Sequence, residues 1–300
     1  MKKAAFVAVI GRPSAGKSTL VNYICGEKVA IVSAVPQTTR NAIRGIVNRE
    51  AGQLVFIDTP GRHLSEKKTN KKLVEISGQA ADDADIILYV LDASRPPGPE
   101  EEEIAAFLAP HAGRTVAAIN KIDAADGDRS REFLVHTMPG LPADRCFLIS
   151  GKTGEGIEPL LAALFGLADE GEPFYSEEYY TDQEVDFRIA EIIREQAINR
   201  LRQELPHSLR VEIADAQLTE AARPADAAYS AEAGPVDAAP GRQKLWVRAF
   251  IVVERESQKG IVVGAGGSMI KAIRLAALKE LRRIFDWYIE LDLRVKSASN

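Results

Sequence analysis

The stretch GRPSAGKS at residues 11–18 has the spacing G-x-x-x-x-G-K-[ST] and lies between an apolar strand pattern, AAFVAVI, and a helical one, STLVNYICG. A loop of this kind binds phosphate because backbone N–H groups and a helix N-terminus converge on the oxygens. Gly11, Arg12, Pro13, Ser14, Ala15 and Gly16 form the expected cradle, with Thr19 just inside the helix. Lys17 is placed to reach the β and γ oxygens, and Ser18 to offer its hydroxyl to Mg2+.

That loop alone leaves ATP kinases, ATPases and GTPases open; NKID at residues 120–123 separates them. A carboxylate at Asp123 can accept from both the N1–H and the 2-amine of guanine. Adenine lacks these donors, so it would strand the pocket's own polar group. Asn120 is expected at the major-groove edge of the base and the Lys121 stem over its face. IDTPG at 57–61 ends another apolar run. There Asp58 can hold Mg2+ through a water and Gly61 can donate to the γ-phosphate, with Thr59 and Pro60 between them. PQTTR at 36–40 supplies a threonine for the Mg2+ shell, Thr39 in preference to Thr38. In ISGKTGEG the backbone at Ser150 and Gly151 can meet the guanine oxygen. The catalytic candidates are Lys17, Thr39 and Gly61, the metal candidates Ser18, Thr39 and Asp58, and the ligands GTP or GDP with Mg2+.

These residues must be positioned by strands that are apolar along their whole length, at 4–10, 53–58, 84–92, 114–120 and 145–150. Such runs suit a sheet covered on both faces, so residues 1–168 read as an α/β doubly wound domain. No Lys or Arg occurs between Lys152 and Arg188, and 169–187 reads as an acidic linker. From 188 to 300 the pattern is α-β-β-α-α-β, with Ile189, Ile192, Ile193, Ala197 and Leu201 inward on the first helix. Ile270, Ile273, Ala277, Leu281 and Ile284 are expected inward on the last. An insertion at 214–243, with 11 alanines broken by Pro224, Pro235 and Pro240, reads as a mobile hairpin extension.

The net charge of −5 conceals two blocks. Residues 244–300 carry 11 Lys and Arg against 6 Asp and Glu, whereas residues 1–243 carry 27 against 37. Blocks of unlike charge suggest unlike partners. Cys25, Cys146 and the four histidines show no metal-ligand spacing. No apolar run approaches the ~18–20 residues of a membrane span, and a cytoplasmic location is expected.

PQTTR, DTPG, NKID and the tail ELPHSLRVEI…VERESQKGIVVGAGGSMIK together resemble the Era family of GTPases, over the whole chain except 214–243. The resemblance implies a P-loop GTPase domain followed by an α+β type II KH domain. It implies slow GTP hydrolysis coupled to maturation of the small ribosomal subunit, through the 3′ end of its ribosomal RNA. A monomer is expected. Peripheral inner-membrane contact is associated with the family and has no independent support in the residues.

A second glycine loop, VVGAGGS, is not a dinucleotide fingerprint, since Met269 stands where a third glycine would be needed. What remains is G-x-x-G, Gly264 to Gly267. In KH domains this loop clamps the backbone of about four nucleotides. Lys259, Gly260, Gly264, Ala265, Gly266, Gly267, Lys271 and Arg274 are the RNA-binding candidates. Phe250, Trp287 and Tyr288 are assigned to the core. Three departures from the family stand out. Ala265 replaces a common lysine, Arg62 follows D-x-x-G where relatives carry an apolar residue, and Ser14 replaces a cation-holding asparagine, so potassium stimulation is not expected. Two readings stay open beside the ribosomal one: a GTPase of another RNA process such as tRNA modification, and an RNA-binding adaptor with vestigial turnover.

Overall fold

The computed structural model describes residues 2–33, 42–59, 78–201, 209–219 and 243–298. It divides into two compact units, Met1–Gln183 and Glu184–Asn300. In the first, β1 (Lys3–Ile10), β3 (Gly52–Asp58), β4 (Ile86–Asp92), β5 (Thr115–Asn120) and β6 (Cys146–Leu148) are parallel to their neighbours, and β2 (Ile43–Arg49) runs antiparallel to β3. The order is β2-β3-β1-β4-β5-β6, and β7 (Asp169–Glu170) pairs with the start of β1.

Every residue of β3, β4 and β5 is buried, which is why these strands are apolar throughout rather than alternating. Side-chain parity divides β1. Val7 and Val9 join Leu20 of α1 (Lys17–Cys25) and Leu160 of α4 (Ile157–Leu167), while Ala8 and Ile10 join Ile104 of α2 (Pro99–Leu108) and Leu134 of α3 (Asp128–Thr137). With both faces filled, the loops at the C-terminal strand ends remain as the place for a ligand.

Two features depart from the sequence reading. β2 is not among the expected strands because Arg44, Gly45 and Asn48 break its apolar run. The acidic stretch 169–187 is no free linker. Ile46 N–H donates to Tyr180 O at 2.9 Å, Thr181 Oγ1 to Arg44 O at 2.8 Å and Asn48 Nδ2 to Glu177 O at 3.0 Å. Asp182 pairs with Arg44 at 2.7 Å and Glu177 with Lys2 at 2.6 Å. Two of the carboxylates in this stretch thus have partners far away in sequence.

In the second unit, α5 (Val185–Ile198) precedes β8 (Arg210–Thr219) and β9 (Lys244–Val253), then come α6 (Glu256–Val263), α7 (Ser268–Ile284) and β10 (Tyr288–Ser297). The sheet order is β10-β9-β8, with β10 parallel and β8 antiparallel to β9. Ile189, Ile193 and Ala197 of α5 meet Ile273, Ala277 and Leu281 of α7 over Val247, Ala249 and Ile251 of β9. Ile270 and Ile284 are only half-buried. β8 continues to Thr219, into the stretch assigned to the insertion; 220–242 lie outside the described residues. Alternation along β9 turns Phe250 away from the helices, where Lys296 Nζ lies 5.0 Å from its ring centroid. Phe250 is thus not core, and Tyr288 is likewise half-buried beneath Arg282, 5.5 Å from its centroid. Trp287 stacks on buried Phe285 at 5.4 Å.

Candidate functional site

The phosphate loop leaves β1 at Ile10 and enters α1 at Lys17. Both of its glycines are required by space, and Gly16 by conformation as well. A Cβ on Gly11 would lie 2.4 Å from Val90 O, and one on Gly16, whose φ is +93°, would lie 2.4 Å from Asn120 Nδ2. Lys17 is buried and its Nζ donates to Gly11 O and Arg12 O, each at 3.0 Å. Burial lowers its pKa to about 8, against the pull of Asp58. Ser18 Oγ donates to Asp58 Oδ2 at 2.6 Å. Burial also raises Asp58 to about 6, which Lys17 and Ser18 oppose. Asp58 Oδ1 is buried without a hydrogen-bond partner. A hydroxyl next to a carboxylate with an unused oxygen suits Mg2+, which binds few protein oxygens and keeps most of its waters. Thr59, also buried, donates from Oγ1 to Val9 O at 2.7 Å and so ties the end of β3 to β1. Thr39, Pro60, Gly61 and Arg62 lie outside the described residues.

NKID begins at the end of β5, and here the structure refines the expected roles. Asn120 Nδ2 donates to Ala15 O at 2.9 Å, and its Oδ1 accepts from Lys121 N–H at 2.8 Å and Gly151 N–H at 2.9 Å. This one amide joins the phosphate loop, its own turn and the 150–151 loop, and one Nδ2 hydrogen is left for a base edge. Lys121 has φ +70° and its Nζ donates to Ser14 O at 2.8 Å and Asp92 Oδ2 at 2.7 Å. Its stem therefore crosses from the turn to the phosphate loop. Burial alone would raise Asp92, but hydrogen bonds from Lys121 and Ser94 hold it below the ordinary carboxylate range.

Buried Ser150 donates from Oγ to Asp123 Oδ1 at 2.8 Å and accepts from Lys152 N–H at 3.3 Å and Thr153 N–H at 3.1 Å. The carboxylate is thus oriented by one oxygen, while its Oδ2 lies 3.9 Å from exposed Lys152 Nζ. Gly151 packs closely on α1, since a Cβ there would lie 3.2 Å from Leu20 Cα. Pro13 completes the loop without an N–H of its own.

The second glycine loop joins α6 to α7. Gly264, Gly266 and Gly267 have φ of +73°, +57° and +80°. A Cβ on Gly264 would meet Met269 Cβ at 2.7 Å, whereas Gly266 and Gly267 have nothing within 4 Å. No side chain caps the start of α7, a 17-residue helix, so its first N–H groups and dipole face the loop. Gly260, Ala265 and Lys271 are exposed. Lys259 pairs with Glu256 at 2.9 Å, and Arg274 Nε donates to Leu291 O at 2.9 Å, which leaves its guanidinium only partly available. Sequence reasoning passed over Ile261 and Leu275, 53% and 51% exposed on the helices flanking the loop. Helical periodicity marks other apolar positions as inward, and nothing distinguishes these two. It also passed over Asp92 and Glu101, whose roles depend on contacts distant in sequence.

Two family models match: a 50S ribosome-binding GTPase over residues 6–121 and a KH domain over residues 236–299. The chain is 47% identical over 296 residues to GTPase Era of Treponema denticola, covering 98% of this chain and 94% of that protein. It is 40% identical over 299 residues to GTPase Era of Borrelia hermsii, covering 99% and 95%. Among solved structures, Era in complex with MgGDPNP and nucleotides 1506–1542 of 16S ribosomal RNA aligns with a TM-score of 0.86 at 32% identity, covering 99% of this chain and 94% of the other. A variant of Aquifex aeolicus Era bound to GDP and aluminium fluoride aligns at 0.85 and 32%, with the same coverage.

Proposed function

From the premise that the chain belongs to the Era family of GTPases, we propose that its first unit hydrolyses GTP and that its second binds the single-stranded 3′ end of small-subunit ribosomal RNA, assisting maturation of the small subunit. The observation that carries the nucleotide half is the convergence at Asn120, where phosphate loop, base-reading turn and the 150–151 loop share one side chain.

In this reading Lys17 exchanges its contacts with Gly11 O and Arg12 O for β and γ oxygens, and the loop's N–H groups hold the remaining phosphate charge. Ser18 and Asp58 would hold Mg2+, which would supply positive charge to the transferring phosphoryl group. Thr39 for that shell and Gly61 for the γ-phosphate remain assignments from the motif alone. Asp123, held by Ser150, accepts from N1–H and the 2-amine, the Lys121 stem covers the base, and Gly151 N–H, donating to Asn120 Oδ1, fixes the 150–151 loop beside it. Asp123→Asn tests this directly. Xanthine presents a 2-carbonyl where guanine presents an amine, so preference should turn from GTP to XTP, by about 10³-fold or more given the cost of a stranded polar pair. A variant that keeps its preference for GTP refutes the assignment.

For the RNA half, the uncapped start of α7 and the open glycines allow close approach of a phosphodiester backbone, and Lys259 and Lys271 add charge. Ile261 and Leu275 offer apolar surface to unstacked bases. Crosslinking to total cellular RNA should place the adduct at the 3′ end of the small-subunit RNA. Adducts concentrated on transfer RNA would support the other RNA process instead. We place the protein in the cytoplasm as a monomer, with any inner-membrane contact peripheral.

A further inference from the structure

Arg12 is the second residue of the phosphate loop, yet its side chain is buried and meets two carboxylates. Nε lies 2.9 Å from Glu101 Oε1, Nη1 donates to Glu101 Oε2 at 3.3 Å, and Nη2 lies 3.8 Å from Asp92 Oδ2; only the Nη1 contact has hydrogen-bond geometry, so Nε and Nη2 are held by charge alone. Glu101, 2% exposed, stands in the first turn of α2, and Asp92 ends β4. The same Asp92 Oδ2 accepts from Lys121 Nζ, which also donates to Ser14 O. A charged circuit thus leaves the loop at residue 12, passes through Asp92 and Lys121, and returns at residue 14, with Glu101 bracing it on α2.

We infer that the Arg12–Glu101 pair positions the nucleotide site: it sets the loop against α2 and keeps Arg12 from serving as a phosphate ligand. One general argument and two observations converge on this. A buried ion pair adds little net stability over an apolar pair of similar volume, so retaining one does not follow from stability alone. Arg12 O accepts from Lys17 Nζ at 3.0 Å, so a shift of residue 12 displaces the ammonium meant for the phosphates. The two non-glycine residues with positive φ among the described residues, Ser14 at +62° and Lys121 at +70°, both belong to this circuit. Such conformations persist where the surroundings over-determine them.

The inference rests on the GTPase reading and can fail separately from it. The test uses the full chain and compares wild type with the Arg12→Met/Glu101→Leu double variant, which removes both charges and leaves neither stranded, and with Arg12→Lys, which keeps the charge but loses the fork. Melting temperature, GDP-binding stoichiometry, release of a fluorescent GDP, and KM and kcat for GTP are measured. A positioning role predicts that the double variant melts near wild type and binds one GDP per chain. Its GDP release should be about tenfold faster and its KM about tenfold higher with kcat within about twofold, Arg12→Lys falling between. Wild-type release and KM in the double variant overturn the inference. So does a loss seen only as a smaller fraction of binding-competent molecules, which marks a purely structural pair. Should the double variant not fold, Arg12→Lys decides: a GDP release rate equal to wild type overturns the inference. Failure of wild type itself to bind GDP would instead sink the GTPase reading.

Discussion

The two glycine loops differ in how closely their surroundings confine them. In the loop at 11–16, Gly11 and Gly16 are both confined by atoms 2.4 Å from where a Cβ would stand, and the side chains of Lys17, Lys121 and Asn120 hold the carbonyls of Gly11, Arg12, Ser14 and Ala15. In the loop at 264–267 Gly264 is confined by Met269, but Gly266 and Gly267 have open space around them and are required only by positive φ. A site that must hold one small ligand in one geometry for chemistry gains from being fixed beforehand. A loop that follows a polynucleotide backbone needs access and some freedom instead.

The largest expected contrast comes from Lys17→Ala. Removing a buried, hydrogen-bonded charge that meets phosphate costs about 2–5 kcal/mol, about 30- to 5000-fold in GTP affinity, read by titration calorimetry with RNA affinity unchanged. An equal loss of RNA binding would show that the loops are not separate sites. The reciprocal double substitution, Gly264→Asp with Gly267→Asp, should weaken RNA on the order of tenfold to a hundredfold by setting two carboxylates against phosphates, while the KM for GTP stays put. Gly16→Ala must move the held Asn120 and adopt an unfavourable φ, so GDP affinity should fall by about 1–3 kcal/mol. Gly266→Ala meets no neighbour and should cost about 1 kcal/mol or less in melting-derived stability, from φ alone. Equal losses of melting temperature from the two substitutions would erase the distinction. Smallest is Ala265→Lys, which should steepen the slope of log affinity against log salt by about 0.7 by adding one single-strand phosphate contact. An unchanged slope means that position 265 does not face the backbone.

The nucleotide site is legible in the sequence because its chemistry is local. Eight consecutive residues build the phosphate loop, and NKID and DTPG each end a buried strand, so order along the chain stands in for proximity. The sheet's core is legible for the same reason, since runs such as IILYVLD have one packing solution. What escapes depends on partners remote in sequence. β2 is hidden by Arg44 and Asn48, which have their partners at Asp182 and Glu177. Asn120 reads as a base contact because nothing local shows that Ala15 O and Gly151 N–H take most of its amide. Phe250 is assigned inward from its apolarity, when its parity on β9 places it with Trp246 and Arg248 on the other face.

Residues 175–183 lie along β2, and their placement bears on solubility. An antiparallel strand at the rim of a large sheet presents free N–H and C=O groups on which a second chain can grow. Here Ile46 N–H donates to Tyr180 O, Arg44 O accepts from Thr181 Oγ1, and the Asn48 side-chain amide donates to Glu177 O. The segment that does so is rich in carboxylates, so an approaching strand would meet an edge already partly occupied and lined with negative charge. Placed there, the acidic run is suited to act as a guard rail along the sheet's rim against strand-by-strand association.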